Sequence, residues 1–321
     1  MEAEILVPLD GSAAAEAILP YVRPLAYGGL GRLTLLRVVP SLRQMIGPDW
    51  SGTMSVNLDP YHEAELQAAG DYLTALTATL RGEGLPVHSH VLAGDPARAL
   101  AAYAAERSDL SLIAMVTHGR SGVPRWVFGS VAEALLHAAP APLLLVRQSD
   151  TPPAASPLYR TIVVGLDGSA FAEEALDQAY AVAKATGASL QLVAAAPTPV
   201  AYATGGQAMA ASVQAAYEDQ AVHLRVYLQA TAARLENFGL TIDTHLVYGP
   251  PAEAILDTAA RLAADLIVLA THGRSGWQQV RFGSVALKVV RAADRPVLLV
   301  RATPPSPAAA DPVATLAVHG R

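Results

Sequence analysis

The sequence contains no cysteine, and aromatic residues make up only 6% of its 321 residues. The missing thiols exclude a disulfide scaffold, thiolate metal sites, iron–sulfur clusters and a cysteine nucleophile. Charged residues are also scarce, at 16%, whereas hydrophobic residues reach 52%, which excludes a chain that is disordered throughout. Because the net charge is −6, the composition argues against a dedicated nucleic-acid-binding protein.

Long hydrophobic runs are missing as well. The apolar segments 110–116 and 142–146 are far shorter than the roughly 18 residues that a membrane-spanning helix needs. The first residues, MEAEILVPLD, lack the basic region and the long apolar region of a signal peptide. We therefore expect a cytoplasmic protein whose partners include neither a membrane nor a nucleic acid.

Two segments of the sequence occur twice. Residues 5–19, ILVPLDGSAAAEAIL, return as residues 162–176, IVVGLDGSAFAEEAL. Residues 112–147 return without a gap as residues 266–301. A repeat of this length is far too long for a solenoid unit, so it indicates the duplication of a whole domain.

Proline, alanine and serine dominate the segment between the two copies, QSDTPPAASPL, which is typical of a linker. The segment after Arg301 has a similar composition and contains no recognisable motif. We therefore place a first domain at 1–147, a linker at 148–157, a second domain at 158–302 and a flexible tail at 303–321.

Short apolar runs alternate with helical periods inside each copy. Leu66, Ala69, Leu73, Leu76 and Leu80 are spaced three and four residues apart, as on the buried face of a helix. The second copy repeats this spacing at Tyr217, Ala221, Leu224 and Leu228. In the first copy we predict strands buried on both faces at 5–9, 33–39, 87–92, 110–117 and 142–147, and further helices at 96–107 and 129–138.

This alternation of strands and helices predicts a doubly wound α/β domain around a parallel sheet. Ligands bind such sheets beyond the carboxyl ends of the strands, near the point where the strand order reverses. The residues that follow the predicted strands are therefore the candidates for a binding site.

The first predicted strand of each copy ends in the tripeptide Asp-Gly-Ser. Two roles are open for it: the carboxylate can accept a hydrogen bond from a ribose hydroxyl, or the aspartate and serine can cap the following helix. The two roles are compatible, because one residue can cap the helix while the other binds. The tripeptides are Asp10, Gly11 and Ser12 in the first copy and Asp167, Gly168 and Ser169 in the second.

A glycine-rich loop follows the fourth predicted strand of each copy, and a Gly-Ser pair then opens a helix. Glycines let a backbone approach a phosphate closely, and a helix N-terminus offers unpaired N–H groups and the positive end of its dipole. The alternative is a plain turn with a serine cap. The candidate phosphate-binding residues are Gly119, Gly129, Ser130, Gly273, Gly283 and Ser284. Residues of the same loops that can assist a phosphate are Arg120, Gly122, Arg274 and Gly276.

Several enzyme signatures are missing from the sequence. The motif G-x-x-x-x-G-K-S/T does not occur, which excludes P-loop kinase or ATPase chemistry. A G-x-S-x-G nucleophile elbow would need glycine at the positions of Val123 and Trp277. His118 lies close to Ser121 in the sequence, but no acid that would orient the histidine is evident. We therefore assign no catalytic residue and no direct metal ligand.

This combination of motifs resembles the universal stress protein family, over about 1–147 and again over about 158–302. Nucleotide-binding members carry the signature G-x-x-G-x9-G-S/T after the fourth strand. The second and third glycines and the hydroxyl residue match in both copies, whereas Val116 and Ala270 stand in place of the first glycine. A side chain at that position crowds the ribose side of the pocket, and Val116 crowds it more than Ala270.

The resemblance implies two doubly wound, five-stranded parallel-sheet domains of the adenine nucleotide alpha hydrolase-like type, with strand order 3-2-1-4-5. It also implies that the last strands, 142–147 and 296–301, pair the two domains as a pseudo-dimer within one chain. Further assembly into a homo-oligomer is left open.

For function, the resemblance implies binding of ATP, with Mg²⁺ held through the phosphates, in a stress-response or signalling module with little or no hydrolysis. Asp10 and Asp167 correspond to the family's aspartate on the adenine and ribose side. Val38 and Ala195 correspond to its hydrophobic contact at the end of the second strand. We expect both copies to bind ATP, the second at least as well as the first.

Two alternatives to this interpretation remain. One is a slow ATPase or a nucleotidyl or phosphoryl transferase on the same scaffold, although the loops lack a catalytic base, a lysine or a carboxylate pair. The other is an interaction protein that has lost nucleotide binding, which the replaced glycines at Val116 and Ala270 favour.

Overall fold

The computed structural model describes most of both copies. Its described residues are 3–40, 59–117, 129–138, 140–147, 159–198, 207–237, 239–271 and 283–301. The predicted linker at 148–157 and the predicted tail at 303–321 lie outside them. None of the helices among these residues is long and apolar enough to span a membrane.

The first domain alternates strands and helices as the apolar pattern predicts. Each predicted strand and helix is confirmed, with ends that differ from the prediction by at most two residues. The described elements are β1 (Glu4–Pro8), α1 (Ala13–Glu16), α2 (Leu19–Tyr27), β2 (Arg32–Val39), α3 (Asp59–Gly82), β3 (Val87–Ala93), α4 (Pro96–Ala105), β4 (Leu110–Thr117), α5 (Ser130–Ala138) and β5 (Leu143–Arg147).

The second domain repeats this order with one helix fewer among its described residues. Its elements are β6 (Thr161–Leu166), α6 (Ala170–Thr186), β7 (Ser189–Ala196), α7 (Gln207–Glu236), β8 (Ile242–Tyr248), α8 (Pro251–Arg261), β9 (Leu266–Ala270), α9 (Ser284–Ala292) and β10 (Val297–Val300).

The first domain has one helix more because the helix that follows its first strand is divided into two. There α1 and α2 are separated at Ala17 and Ile18, whereas α6 runs through the equivalent residues without interruption. Pro20 lies in the first turn of α2 and has no N–H to donate to the preceding turn, so it favours a helix start at this point. Asp177, which has a backbone N–H, stands at the equivalent position inside α6.

All strands within each domain are parallel, and the strand order in each is 3-2-1-4-5, as predicted. The two sheets join through β5 and β10, which are antiparallel, into one sheet of ten strands in the order β3-β2-β1-β4-β5-β10-β9-β6-β7-β8. The expectation that the last strands pair the domains as a pseudo-dimer is thus confirmed.

Helices cover both faces of the sheet, and alternate residues of each strand point to opposite helical layers. In β1, Ile5 and Val7 belong to the core beneath α2 and α3, and Leu6 belongs to the core on the opposite face. In the outermost strand β3 the prediction of burial on both faces is wrong, because His88 and His90 are exposed at the end of the sheet.

Candidate functional site

The second domain has a cavity of about 460 Å³ beyond the carboxyl ends of its strands. Asp167 follows β6 at one side of this cavity, and Gly283 and Ser284 at the start of α9 lie at another. Between them the described lining is mainly apolar and includes Ala195 and Ala270. The structure therefore brings the sequence-predicted residues Asp167, Ala195, Gly283 and Ser284 together in one cavity.

In the Asp-Gly-Ser turn of the second domain, the serine rather than the aspartate caps the helix. Ser169 caps α6, because its Oγ accepts a hydrogen bond from the N–H of Ala172 at 3.2 Å. Asp167 does not cap the helix; its Oδ1 accepts hydrogen bonds from the N–H of Ser169 at 3.0 Å and from the Oγ of Ser169 at 2.6 Å. Gly168 lies between them with φ +81°, in the left-handed region that favours glycine. The turn thereby fixes the Asp167 carboxylate at the cavity wall.

The first domain builds the same turn. Ser12 caps α1 by accepting from the N–H of Ala15 at 3.1 Å, and Asp10 Oδ1 accepts from the N–H of Ser12 at 2.8 Å. Gly11 has φ +87°. In both copies, therefore, the serine is the cap and the aspartate is the residue presented at the strand end.

The start of α9 has no side-chain cap. Gly283 is the N-cap, and it has no side-chain oxygen that would satisfy the first N–H groups of the helix. Its own N–H donates to the carbonyl of Thr271 at 2.6 Å, which ties the helix start to the end of β9. Ser284 is the first helical residue, so the alternative of a serine cap is excluded here. Ser284, Val285 and Ala286 of the first turn line the cavity, and within the described part of the chain no side chain caps their helix end.

The first domain has the equivalent helix start at α5. The carbonyl of Gly129 accepts from the N–H of Glu133 at 2.9 Å, so the helix begins at Ser130. The remaining loop candidates lie outside the described residues; they are Gly119, Arg120, Gly122, Gly273, Arg274 and Gly276.

The first domain's cavity is much smaller, about 170 Å³. Asp10 and Val38 line it, as the sequence predicts, together with Pro8, Met115 and Val116. Neither Gly129 nor Ser130 is among its described lining residues. The first domain thus has its predicted residues at the same edge of the sheet, but the described residues do not bring all of them together around one cavity as in the second domain.

Sequence reasoning missed several residues of the second cavity. Gly165, Gln220 and Ile255 contribute to its wall, and Tyr217 joins them from α7. The helical stripe predicts Tyr217 as a buried-face residue of α7 and gives no indication that it lines a cavity. Gly165 and Ile255 carry no local signal, because their contribution depends on packing between β6 and α8.

A cation beside the first domain's turn was missed too. The ideal Cβ of Gly11 would lie 2.8 Å from Nη1 of Arg37, so the guanidinium packs against this turn. Arg37 also lies 5.4 Å from the centre of the Tyr72 ring, and the Tyr72 hydroxyl donates to Glu16 at 2.9 Å. Burial raises the pKa of Tyr72, and the bonded carboxylate of Glu16 raises it further. The second domain has alanine at the position of Arg37.

Both domains of the chain match one known protein family. The model of the universal stress protein family matches residues 2–147 and again residues 158–301. This chain belongs to the universal stress protein family.

Relatives with one domain and with two domains match the chain. A universal stress protein from Mycolicibacterium smegmatis is 25% identical over 310 residues, which are 92% of this chain and 96% of that protein. A shorter one from Thermus aquaticus is 38% identical over 148 residues, which are 45% of this chain and all of that protein, 100%. The two-domain organisation therefore has a full-length counterpart.

A solved structure supports the tandem fold of this universal stress protein. The structure of a universal stress protein from Archaeoglobus fulgidus superimposes with a TM-score of 0.70 at 21% identity. The superposition covers 94% of this chain and 99% of that one. At this identity the likeness concerns the fold.

Proposed function

We propose that this universal stress protein binds ATP with Mg²⁺ in the cavity of its second domain and acts as a nucleotide-dependent stress-response or signalling module in the cytoplasm. The observation that carries the proposal is the union of three features around one cavity of about 460 Å³. These are a carboxylate held at a strand end, an apolar wall and an uncapped helix start. Small-molecule pockets are of order 300–1,000 Å³, so the cavity has a suitable size.

Each part of ATP has a chemically suitable partner in this cavity. The apolar wall, with Ala195 and Leu269, suits the faces of the adenine ring. The Asp167 carboxylate can accept hydrogen bonds from ribose hydroxyls. The first-turn N–H groups of α9 and the Ser284 hydroxyl suit the phosphates.

Mg²⁺ would be held by the phosphate oxygens, and it would neutralise part of their charge. Among the described lining residues Asp167 is the only carboxylate, and none is a lysine, arginine or histidine. No group of three or more metal-binding side chains occurs in the described parts of the chain. The donor set therefore fits an ion bound through the nucleotide better than one bound by the protein alone.

The same lining favours binding over catalysis. A phosphoryl-transfer enzyme positions its nucleophile with a base and stabilises the developing charge with cations. The described lining supplies neither a second carboxylate nor a cationic side chain. A single-turnover assay with labelled ATP separates the two functions, and release of phosphate or AMP at catalytic rates would favour the transferase or ATPase alternative.

Calorimetric titration of the full chain with ATP and Mg²⁺ tests the proposal. We expect the wild type to bind ATP and Gly283→Val to lose binding, because a branched side chain at the N-cap blocks phosphate approach. Ser284→Ala should weaken binding by about 1 kcal/mol, the contribution of one hydrogen bond. The control is Ser189→Ala. The Ser189 hydroxyl donates to the carbonyl of Arg160 at 3.2 Å in another part of the domain. A wild type that does not bind ATP, or a Gly283→Val variant that binds it equally well, would contradict the proposal.

A further inference from the structure

The two domains form their carboxyl-edge cavities largely from equivalent elements, although α7 lines the second and no described residue of its counterpart α3 lines the first, and the cavities differ in size. The second measures about 460 Å³ and the first about 170 Å³. The second lies within the usual range for small-molecule pockets, of order 300–1,000 Å³, and the first lies below it. Three strand positions contribute to this difference through the size of their side chains.

At each of these positions the first domain carries the larger residue. Pro8 of β1 is equivalent to Gly165 of β6, because each precedes the strand-end aspartate by two residues. In the same way, Val38 of β2 is equivalent to Ala195 of β7, and Val116 of β4 is equivalent to Ala270 of β9. All six residues line the cavity of their own domain.

Other positions of the wall are nearly matched in volume. Leu100 and Met115 of the first domain are equivalent to Ile255 and Leu269 of the second, and all four line the cavities. Val131 and Val285 are identical at the first turn of the following helices. Among the wall positions that both cavities share, the first domain therefore carries markedly larger side chains at the three strand ends.

Gly165 of the second domain lies beneath the ends of two side chains. An ideal Cβ on Gly165 would collide with Leu269 and would lie 2.7 Å from Cδ1 of Ile255. Any side chain at this position displaces the residues above it. Their equivalents, Leu100 and Met115, line the smaller cavity together with Pro8. The proline ring therefore occupies space at the wall of the first cavity where the second domain has only a glycine.

We propose that the chain binds one nucleotide, in the second domain, and that Pro8, Val38 and Val116 exclude the nucleotide from the first. This inference rests on the proposed function, and it replaces the expectation from the sequence that both copies bind. The first domain retains the role of a structural partner, which completes the sheet of the second through β5 and β10.

The first measurement is the stoichiometry of ATP binding to the full chain in the presence of Mg²⁺. We expect one nucleotide per chain by calorimetry. Photo-crosslinking with an azido-substituted ATP should label peptides from 159–301 and leave those from 3–117 unlabelled. Two nucleotides per chain, or labelling of both domains, would overturn the inference and leave the proposed function standing. A chain that binds no ATP would overturn the proposed function and this inference with it.

A pair of matched variants locates the cause. Ala195→Val with Ala270→Val gives the second domain two of the three larger side chains of the first, which the same fold already accommodates. Overpacking of the cavity should weaken ATP binding by about tenfold or more. Ser189→Ala lies outside the described lining of the cavity and is the control, so it should leave affinity and stoichiometry unchanged. Wild-type affinity in the double variant, with an unchanged melting temperature, or an equal loss of affinity in Ser189→Ala, would overturn the assignment.

Discussion

Leu144 of β5 and Leu298 of β10 lie directly opposite each other in the antiparallel junction between the domains. Each is only 1% exposed. They occupy equivalent positions in the two copies, so their pairing marks a pseudo-twofold axis through the centre of the sheet. Each domain thereby covers the apolar strand that the other would otherwise leave as an open sheet edge.

The first domain expressed alone should therefore form a dimer. In a fragment of residues 1–147, β5 keeps an unpaired apolar edge that a second copy can cover by the same antiparallel pairing. We expect a homodimer or an insoluble product, measured by size-exclusion chromatography with light scattering. Leu144→Lys in the same fragment is the control, since a charge at the centre of the junction should abolish the dimer. A soluble, monodisperse monomer of the unmodified fragment would contradict the prediction.

A second contact between the domains depends on a glycine. Gly28, at the end of α2, lies so close to α6 that an ideal Cβ would collide with the carbonyl oxygen of Ala185 and lie 2.6 Å from its Cβ. Tyr159 holds the same region, since its hydroxyl donates to the carbonyl of Tyr21 at 2.9 Å. The domains thus meet through helices as well as through the sheet.

Gly28→Ala should destabilise the protein by about 1–3 kcal/mol, because the added methyl group overpacks the contact with Ala185. The φ of Gly28 is −75°, so backbone strain does not contribute. Gly82→Ala, at the end of α3, is the matched control, because no atom lies within 4 Å of its ideal Cβ. Urea unfolding of both variants provides the measurement. Equal stabilities of the two variants would show that the domains do not approach as closely as described.

Much of this architecture was accessible from the sequence. The repeat identified two domains, the apolar runs predicted the strands, and the resemblance implied both the strand order and the pairing through the last strands. Asp167, Gly283 and Ser284 were predicted as site residues because each follows a recognisable strand or opens a helix. Such signals depend only on residues that are neighbours in the sequence, so a single sequence is enough to reveal them.

The size of the cavities could not be predicted in the same way. Whether Gly165 leaves space depends on how Leu269 and Ile255 pack over it, and those residues come from distant segments. Likewise, nothing near Arg37 in the sequence indicates that its guanidinium packs against Gly11. The sequence comparison did identify Val116 and Ala270 as unequal, but the contribution of Pro8 emerged only from the packing.

The contact between Gly11 and Arg37 provides a third prediction. Gly11→Ala places a methyl group at φ +87°, which costs about 1–2 kcal/mol for an L-residue, and brings it against the guanidinium. Gly84→Ala has nearly the same backbone, φ +86°, with no atom within 4 Å of the ideal Cβ. We expect both variants to lose stability in urea unfolding, and Gly11→Ala to lose more. Adding Arg37→Ala should remove the excess. If Gly11→Ala still loses more stability than Gly84→Ala when Arg37 is replaced, the additional loss arises from the turn and not from the contact with Arg37.

The fourth prediction concerns the pH dependence of stability. His245 of β8 lies with its Nε2 2.7 Å from Oε1 of Gln191, whose Nε2 donates to Asp243 at 2.9 Å. Burial lowers the pKa of His245, and the cation of Arg261 lowers it further, while Asp243 opposes both. The folded state therefore favours the neutral imidazole, which donates to Gln191.

Because the pKa of His245 is lower in the folded state, the unfolded chain binds more protons as the pH falls through about 6.5, the ordinary value for histidine. The contribution of neutral His245 to stability is thus present at pH 7 and declines below about pH 6.5.

His245→Gln keeps a hydrogen-bond donor that does not titrate, so the free energy of unfolding of this variant should fall less between about pH 7 and 5 than that of the wild type. His223→Gln is the control, since the His223 side chain is 75% exposed and its surface pair with Asp219 contributes little. Urea unfolding at several pH values, with NMR titration of the imidazole protons, measures both effects. If His245→Gln and the wild type lose stability equally as the pH falls, His245 does not carry this dependence.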